Sequence, residues 1–293
     1  MKWRDIEQHI QDIIGGRFSV EKAQALAGGC INTCWAIEGN GQRFFIKLNR
    51  PDMSDMFAAE KEALSALANT HTVKVPKPVC YGETDDYAYL LLEYLPLAPI
   101  SKKAQSILGE QLAALHAVEQ PAFGWEEDNW IGATPQQNIK QNDWPLFWRD
   151  CRLRFQLELA AKNGFTGRLQ NLGEKLQGKM KGLFAGYRPF PSLLHGDLWS
   201  GNAAMTTDEK PVIYDPACYW GDREADLAMT ELFGGFGQDF YQAYQAVLPL
   251  DAGYGIRKDF YNLYHVLNHL NLFGGGYLHQ AETIMEKLLS HIR

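Results

Sequence analysis

Two short stretches hold most of the side chains that could do chemistry. "LLHGDLWSGN" runs from Leu193 to Asn202, and "PVIYDPA" from Pro211 to Ala217. In the first, Asp197 offers a carboxylate able to take a proton, and Asn202, five residues on, offers an amide oxygen. In the second, Asp215 closes an apolar run. Carboxylate and amide oxygens suit a hard divalent cation. The same residue types also make plain turns, because Gly, Asp, Ser and Asn are turn formers and Asp-Pro starts turns. Residue type alone leaves both readings open.

Two further charges sit where charges are costly. In "RFFIKLN", Phe45 and Lys47 point to one face, and Phe44, Ile46 and Leu48 to the other. A lysine in so apolar a strand needs an anionic partner, unless it is an edge lysine that reaches water. In the helical pattern that follows, Met53, Met56, Phe57, Glu60, Leu64 and Leu67 recur at three- and four-residue steps. Glu60 therefore lies on the apolar stripe and asks for a partner as well. A strand lysine, a helix glutamate, an aspartate with an asparagine five residues later, and a further aspartate follow in the order used by protein kinases. The Gly-rich turn "AGGCIN" lies upstream of Lys47. Its Gly28, Gly29 and Cys30 would bring backbone N–H groups to phosphate, although the pattern also fits a simple hairpin turn.

The elements that must position these groups change character along the chain. Residues 3–14 read as a helix. A strand, the Gly-rich turn and a returning strand follow, then a hairpin at "GNG", residues 39–41, and the Lys47 strand. A helix opens at "PDM", and "YAYLLLEYL" reads as a strand apolar on both faces. "PLAP" breaks it near residue 96. Helical patterns then dominate, over 101–118, 143–162, 166–184, 222–232, 237–247 and 257–273, with strand-like inserts at "LLHGD" and "PVIYDP". The expectation is α+β: a β-rich lobe over residues 1–95 and a mainly helical lobe over 96–293, with a cleft between them.

Composition narrows the function classes. The chain has 293 residues, 46% hydrophobic and 22% charged, enough for a packed core. A net charge of −7 argues against a broad nucleic-acid surface, which needs clustered Lys and Arg. There is no signal-like apolar region at the N-terminus and no run long enough for a membrane helix, so a soluble, cytoplasmic protein is expected. Five cysteines at irregular spacing indicate neither a zinc ribbon nor a disulfide framework.

"HGDLWSGN" with "IYDPA", "GGCIN", "FFIKLN" and "MFAAEKEAL" resembles the fructosamine kinase (ketosamine-3-kinase) family. The family is related to the aminoglycoside and choline kinases and shares the protein-kinase-like fold. The likeness covers nearly the whole chain and includes "NWIGATPQ", "NDWPLFWRDCRLRFQLELA" and "YWGDREADLAMTELFGGF". Trp199-Ser200-Gly201 is its most discriminating part. One departure is that Ala27 precedes Gly28-Gly29-Cys30 where the family has a third glycine.

The resemblance implies ATP- and Mg²⁺-dependent phosphorylation of the 3-hydroxyl of ketosamines such as fructoselysine, free or on glycated protein side chains. It gives Asp197 the role of base, Asn202 and Asp215 the metal, and Lys47, oriented by Glu60, the α- and β-phosphates. Backbone groups of Glu93, Tyr94 and Leu95 would face adenine. His195 would support the loop. Trp199 and Trp220 would stack on a sugar or pack. Asp222 and Glu224 would face the ketosamine amine, with Asp222 equally readable as a helix cap, and Asp226 would anchor the catalytic loop from below. "NDWPLFW" would line the acceptor side. His265 and His269, one helical turn apart, read as structural. Cys30 could form a redox switch with Cys34, or link a dimer of an otherwise monomeric protein. The alternatives are a kinase of the same fold acting on another amino-alcohol or amino-sugar, and a redox-regulated nucleotide-binding module.

Overall fold

The computed structural model describes residues 3–26 and 31–292. After α1 (Arg4–Ile14), β1 (Lys22–Leu26), β2 (Thr33–Gly39), β3 (Gln42–Asn49), β4 (Pro78–Glu83) and β5 (Ala88–Glu93) form an antiparallel sheet in the order β1-β2-β3-β5-β4. Between β2 and β3, Asn40 and Gly41 have φ of 51° and 75°, the left-handed pair that a two-residue hairpin needs. One sheet face is sealed by α1, whose Ile6 and Ile10 pack with Ile37, Ile46, Leu48 and Leu91. The opposite face carries Phe45, Leu90 and Leu92 into the main core. Lys47 shares that second face, paired in register with Leu90.

Helix α2 (Ser54–Asn69) covers this face, with Phe57, Leu64 and Leu67 wholly buried. These residues belong to the same core as the helical half of the chain, so the sheet and the helices share one interior.

Beyond β5 the chain is mainly helical. The short β6 (Leu97–Ala98) precedes α3 (Lys102–His116), and a small hairpin follows, made of β7 (Asn129–Ile131) and β8 (Thr134–Gln136). Next, α4 (Trp144–Trp148) and α5 (Phe155–Lys162) form one rod joined by a π-helical segment, Arg149–Arg154. After α6 (Arg168–Lys179) come β9 (Ser192–Leu194), β10 (Ala203–Thr206), β11 (Pro211–Ile213) and β12 (Tyr219–Gly221). β9 pairs with β12, and β10 pairs with both β11 and β6. The chain closes with α7 (Glu224–Leu232), α8 (Gln238–Val247), α9 (Tyr254–Phe273) and α10 (Leu278–His291).

Several elements go beyond what the sequence pattern predicts, among them the short strands β6, β10 and β12. Another is the β7–β8 hairpin, too short for a periodicity to register. The longest is α10, whose buried Ala281, Met285 and Leu288 pack it beside α6 and α9. Leu97 and Ala98 already pair with Thr206 and Met205 of β10, so the chain has left the first sheet by that point. No helix of the described residues is long and apolar enough to cross a membrane.

Candidate active site

β3 presents Lys47 and α2 presents Glu60 at the same point. The Lys47 ammonium donates to Glu60 Oε1 at 2.5 Å and to Asp215 Oδ1 at 2.6 Å. Burial pulls the lysine pKa down, but the two carboxylates outweigh it and hold the group charged, above its usual value. Asp215 follows β11 with φ of 59°, in the left-handed region, which Asp tolerates better than most residues but at a cost. Its side chain stays 42% exposed while bonded to Lys47.

The loop after β9 supplies Asp197 and Asn202. Asn202 donates its side-chain N–H to the Asp197 carbonyl at 2.9 Å and to Asp197 Oδ2 at 3.3 Å, which leaves the amide oxygen of Asn202 for another partner. Burial and the nearby Asp215 carboxylate push the Asp197 pKa well above its usual value, against the pull of Asn202.

This loop is fixed from beneath. Asp226, on α7, accepts the backbone N–H groups of His195 at 2.7 Å and Gly196 at 2.8 Å. His116, itself bonded to the Tyr244 hydroxyl, lies at 3.2 Å from the same carboxylate. Burial works against an ionised Asp226, but the His116 and Gly196 bonds prevail and lower its pKa. His195 is buried, and burial lowers its pKa, so the ring is neutral. Its Nε2 donates to the Tyr214 carbonyl at 3.0 Å, and its Nδ1 accepts the Asp197 N–H at 3.3 Å. One histidine therefore ties the Asp197 loop to the Asp215 strand. Gly196 has φ of 83°, and a Cβ there would fall 2.0 Å from the Ala217 carbonyl oxygen. The H-G-D glycine thus allows the two segments to cross.

The β7–β8 hairpin braces the far side. Asn129 donates to the Cys218 carbonyl at 2.7 Å, and Gln136 to the Ala217 carbonyl at 3.2 Å. Among the expected site residues, Lys47, Glu60 and Asp215 come together at one point, and Asp197 and Asn202 at the adjoining loop.

Other expectations are corrected. Asp222 is fully buried and takes the Tyr187 hydroxyl at 2.9 Å, the Tyr261 hydroxyl at 2.5 Å and the Glu224 N–H at 3.0 Å. That last bond braces the turn into α7, although the helix's N-cap residue is Arg223 and not Asp222. Glu224 is also buried, with both oxygens bonded to Arg257 at 2.7 and 3.0 Å. Neither carboxylate can meet a substrate amine. Trp220 takes the packing alternative, its ring beside that of Trp125 with centroids 5.8 Å apart. In "NDWPLFW", Trp144, Phe147 and Trp148 are buried in the core rather than lining an acceptor. Cys34 is a free, buried thiol pushed up to about 11 by burial, so it is a poor redox partner. Cys30, with Gly28 and Gly29, lies outside the described residues. The Glu93 N–H is already donated to the Lys77 carbonyl at 2.9 Å, and Tyr94 stacks under Arg43, whose guanidinium carbon is 3.7 Å from the ring centroid. Trp199 is 37% exposed beside the loop.

No group of three or more His, Cys, Asp or Glu among the described residues gathers in metal-binding geometry. The donor set still fits Mg²⁺, which needs only one or two protein ligands when phosphates supply the rest. Asp215 and the Asn202 amide oxygen are oxygen ligands of that kind.

A sheet-borne Lys–Glu pair, a pinned H-G-D loop with its asparagine, and an aspartate at the end of β11 define a phosphotransferase of the protein-kinase-like fold. The same fold occurs in an ADP-bound aminoglycoside phosphotransferase, at 16% identity and a TM-score of 0.62 over 97% of this chain and 96% of that one. The chain belongs to the fructosamine kinase family, whose model matches residues 2–291. It is 44% identical to a Synechocystis protein named "Probable ketoamine kinase" over 98% of this chain and 97% of the relative. It is 40% identical to a chloroplastic protein-ribulosamine 3-kinase of Arabidopsis thaliana over 95% and 86%. A candidate fructosamine-3-kinase from Haemophilus somnus 129PT, solved by crystallography, superposes with a TM-score of 0.90 at 31% identity over 98% and 97%.

Proposed function

We propose that this protein transfers the γ-phosphate of ATP to the 3-hydroxyl of a ketosamine, either a fructosamine or a ribulosamine, on a small molecule or a glycated protein side chain. The observation that carries the reading is Lys47 held at once by Glu60 and Asp215, beside the Asp197–Asn202 loop. The names borne by the relatives supply the acceptor class. Residues 1–95 would hold the nucleotide, and residues 96–293 the catalytic loop and the acceptor.

Each side chain has a role set by its chemistry. Lys47 would hold the α- and β-phosphates, with Glu60 fixing its direction. Asp197 would receive the proton of the acceptor hydroxyl. Asn202 and Asp215 would hold Mg²⁺, which supplies neutralisation of phosphate charge. Because the Glu93 N–H is engaged, adenine would be met by the other backbone groups of Glu93–Leu95.

The test is ATP consumption with Mg²⁺ and either a synthetic fructosamine or a synthetic ribulosamine, with an aminoglycoside and choline in parallel. Turnover is expected on the ketosamines. Asp197→Asn should lower kcat by about 10²-fold or more while ATP still binds. Turnover on the aminoglycoside or choline instead would sink the acceptor assignment.

A further inference from the structure

Trp199 begins a run of aromatic side chains that leads away from the catalytic loop. Its ring meets Phe233 edge-on, with centroids 6.3 Å apart. Phe233 leans on His269 at 4.8 Å, and His269 on Phe273 at 5.4 Å and Tyr277 at 5.2 Å. Trp199, Phe233 and Phe273 are 37%, 40% and 55% exposed. Phe233 and Phe273 are each followed by glycines, in "FGGFG" at 233–237 and "FGGGY" at 273–277.

The run is keyed to the loop that carries Asp197. A Cβ on Gly201 would fall 2.3 Å from the Trp199 indole, and one on Gly235 would fall 2.1 Å from the Ser200 Cβ. The W-S-G step is therefore packed against the Phe233 loop, with no room for a side chain at either glycine. Gly132, at the tip of the β7–β8 hairpin, lies against Leu272, the neighbour of Phe273, and against Ile31, which follows the Gly-rich turn. Burial lowers the pKa of His269, so its ring presents a neutral, apolar face.

We propose that Phe233, His269 and Phe273, continuing from Trp199, form an acceptor subsite for an apolar or aromatic group on the amine portion of the ketosamine. This inference rests on the ketosamine-kinase reading and adds a preference that the reading does not contain. An acceptor whose sugar lies at Asp197 has its amine portion left to extend, and the exposed aromatic run continuous with that loop offers it a surface. Rings of this kind favour planar and apolar groups over small polar ones.

Two synthetic fructosamines test it with the whole protein, ATP and Mg²⁺. One is built on phenethylamine and the other on ethanolamine. The wild-type protein should show a KM for the phenethylamine adduct about fivefold below that for the ethanolamine adduct, with similar kcat. In Phe233→Ala and Phe273→Ala the ratio of the two KM values should fall toward one, and Phe233→Tyr should restore it. Equal KM values in the wild type, or a ratio that survives both alanine variants, would overturn the subsite. Turnover on both adducts with no preference would leave the ketosamine-kinase reading standing while removing this one. No turnover on either would remove both.

Discussion

At the scale of single residues, the site turns on one lysine. Lys47 neutralises two carboxylates that come from distant parts of the chain. Glu60 has only a 10% exposed side chain, so a variant that removes the lysine leaves a buried charge without a partner. Lys47→Met fills the volume but should cost about 3 kcal/mol in urea unfolding at neutral pH, and ATP binding with it. Adding Glu60→Gln should restore most of the stability and none of the binding. Equal stability of the single and double variants would mean that the pair is not coupled as its geometry indicates. This pair was legible in the sequence because strand alternation and the helical stripe each place a charge on an apolar face. The partners of Asp222 and Glu224 were not. "GDREAD" reads as a solvated acidic start of a helix, while the groups that bury it, Tyr187, Tyr261 and Arg257, lie tens of residues away.

At the scale of elements, the catalytic loop is held by α7 rather than by its own turn. Asp226 bonds two successive N–H groups, and Gly196 lets the loop cross the segment after β11. Asp226→Ala would orphan two buried donors at about 1–3 kcal/mol each, and His116 would lose its anion. Its thermal midpoint should fall, and kcat should fall more than the KM for ATP does, because the nucleotide groups on β3 and α2 stay in place. Gly196→Ala adds strain at positive φ to a collision with the Ala217 carbonyl oxygen, and should be destabilised by at least as much. Normal expression, thermal midpoint and kcat for Gly196→Ala would refute the crossing argument. The anchoring role of Asp226 came from the family resemblance of "GDREADLAM" rather than from any local pattern. The β7–β8 hairpin escaped it, because a three-residue strand has no period to read and its polar Asn129 and Gln136 resemble a loop until their carbonyl partners are known.

At the scale of the whole molecule, acid should weaken the fold through α9. Burial lowers the pKa of His265 from 6.5 to about 3. Between those values the unfolded chain takes a proton that the folded chain refuses, so this residue's contribution to stability is lost as pH falls below 6.5. Urea unfolding at pH 7 and pH 5 should differ by about 2 kcal/mol more in the wild type than in His265→Gln, whatever the variant costs at neutral pH. An unchanged pH difference in the variant would show that His265 is protonated in the native state. The division into a β-rich and a helical half was readable from periodicity. The single core beneath both was not, since nothing local in "MFAAEKEALSALA" says that its apolar stripe will join one core with the helical half.

That shared core has a consequence for anyone designing inhibitors. Phe57, Leu64 and Leu67 tie α2 into the core that the sheet and the helices share, and the Cys218 thiol reaches the Ala63 carbonyl at 3.9 Å. A drug that worked by prising this helix outward would have to expose those side chains to water. Compounds for this scaffold are better drawn to fit around an intact Lys47–Glu60 pair, and to gain their selectivity elsewhere in the cleft.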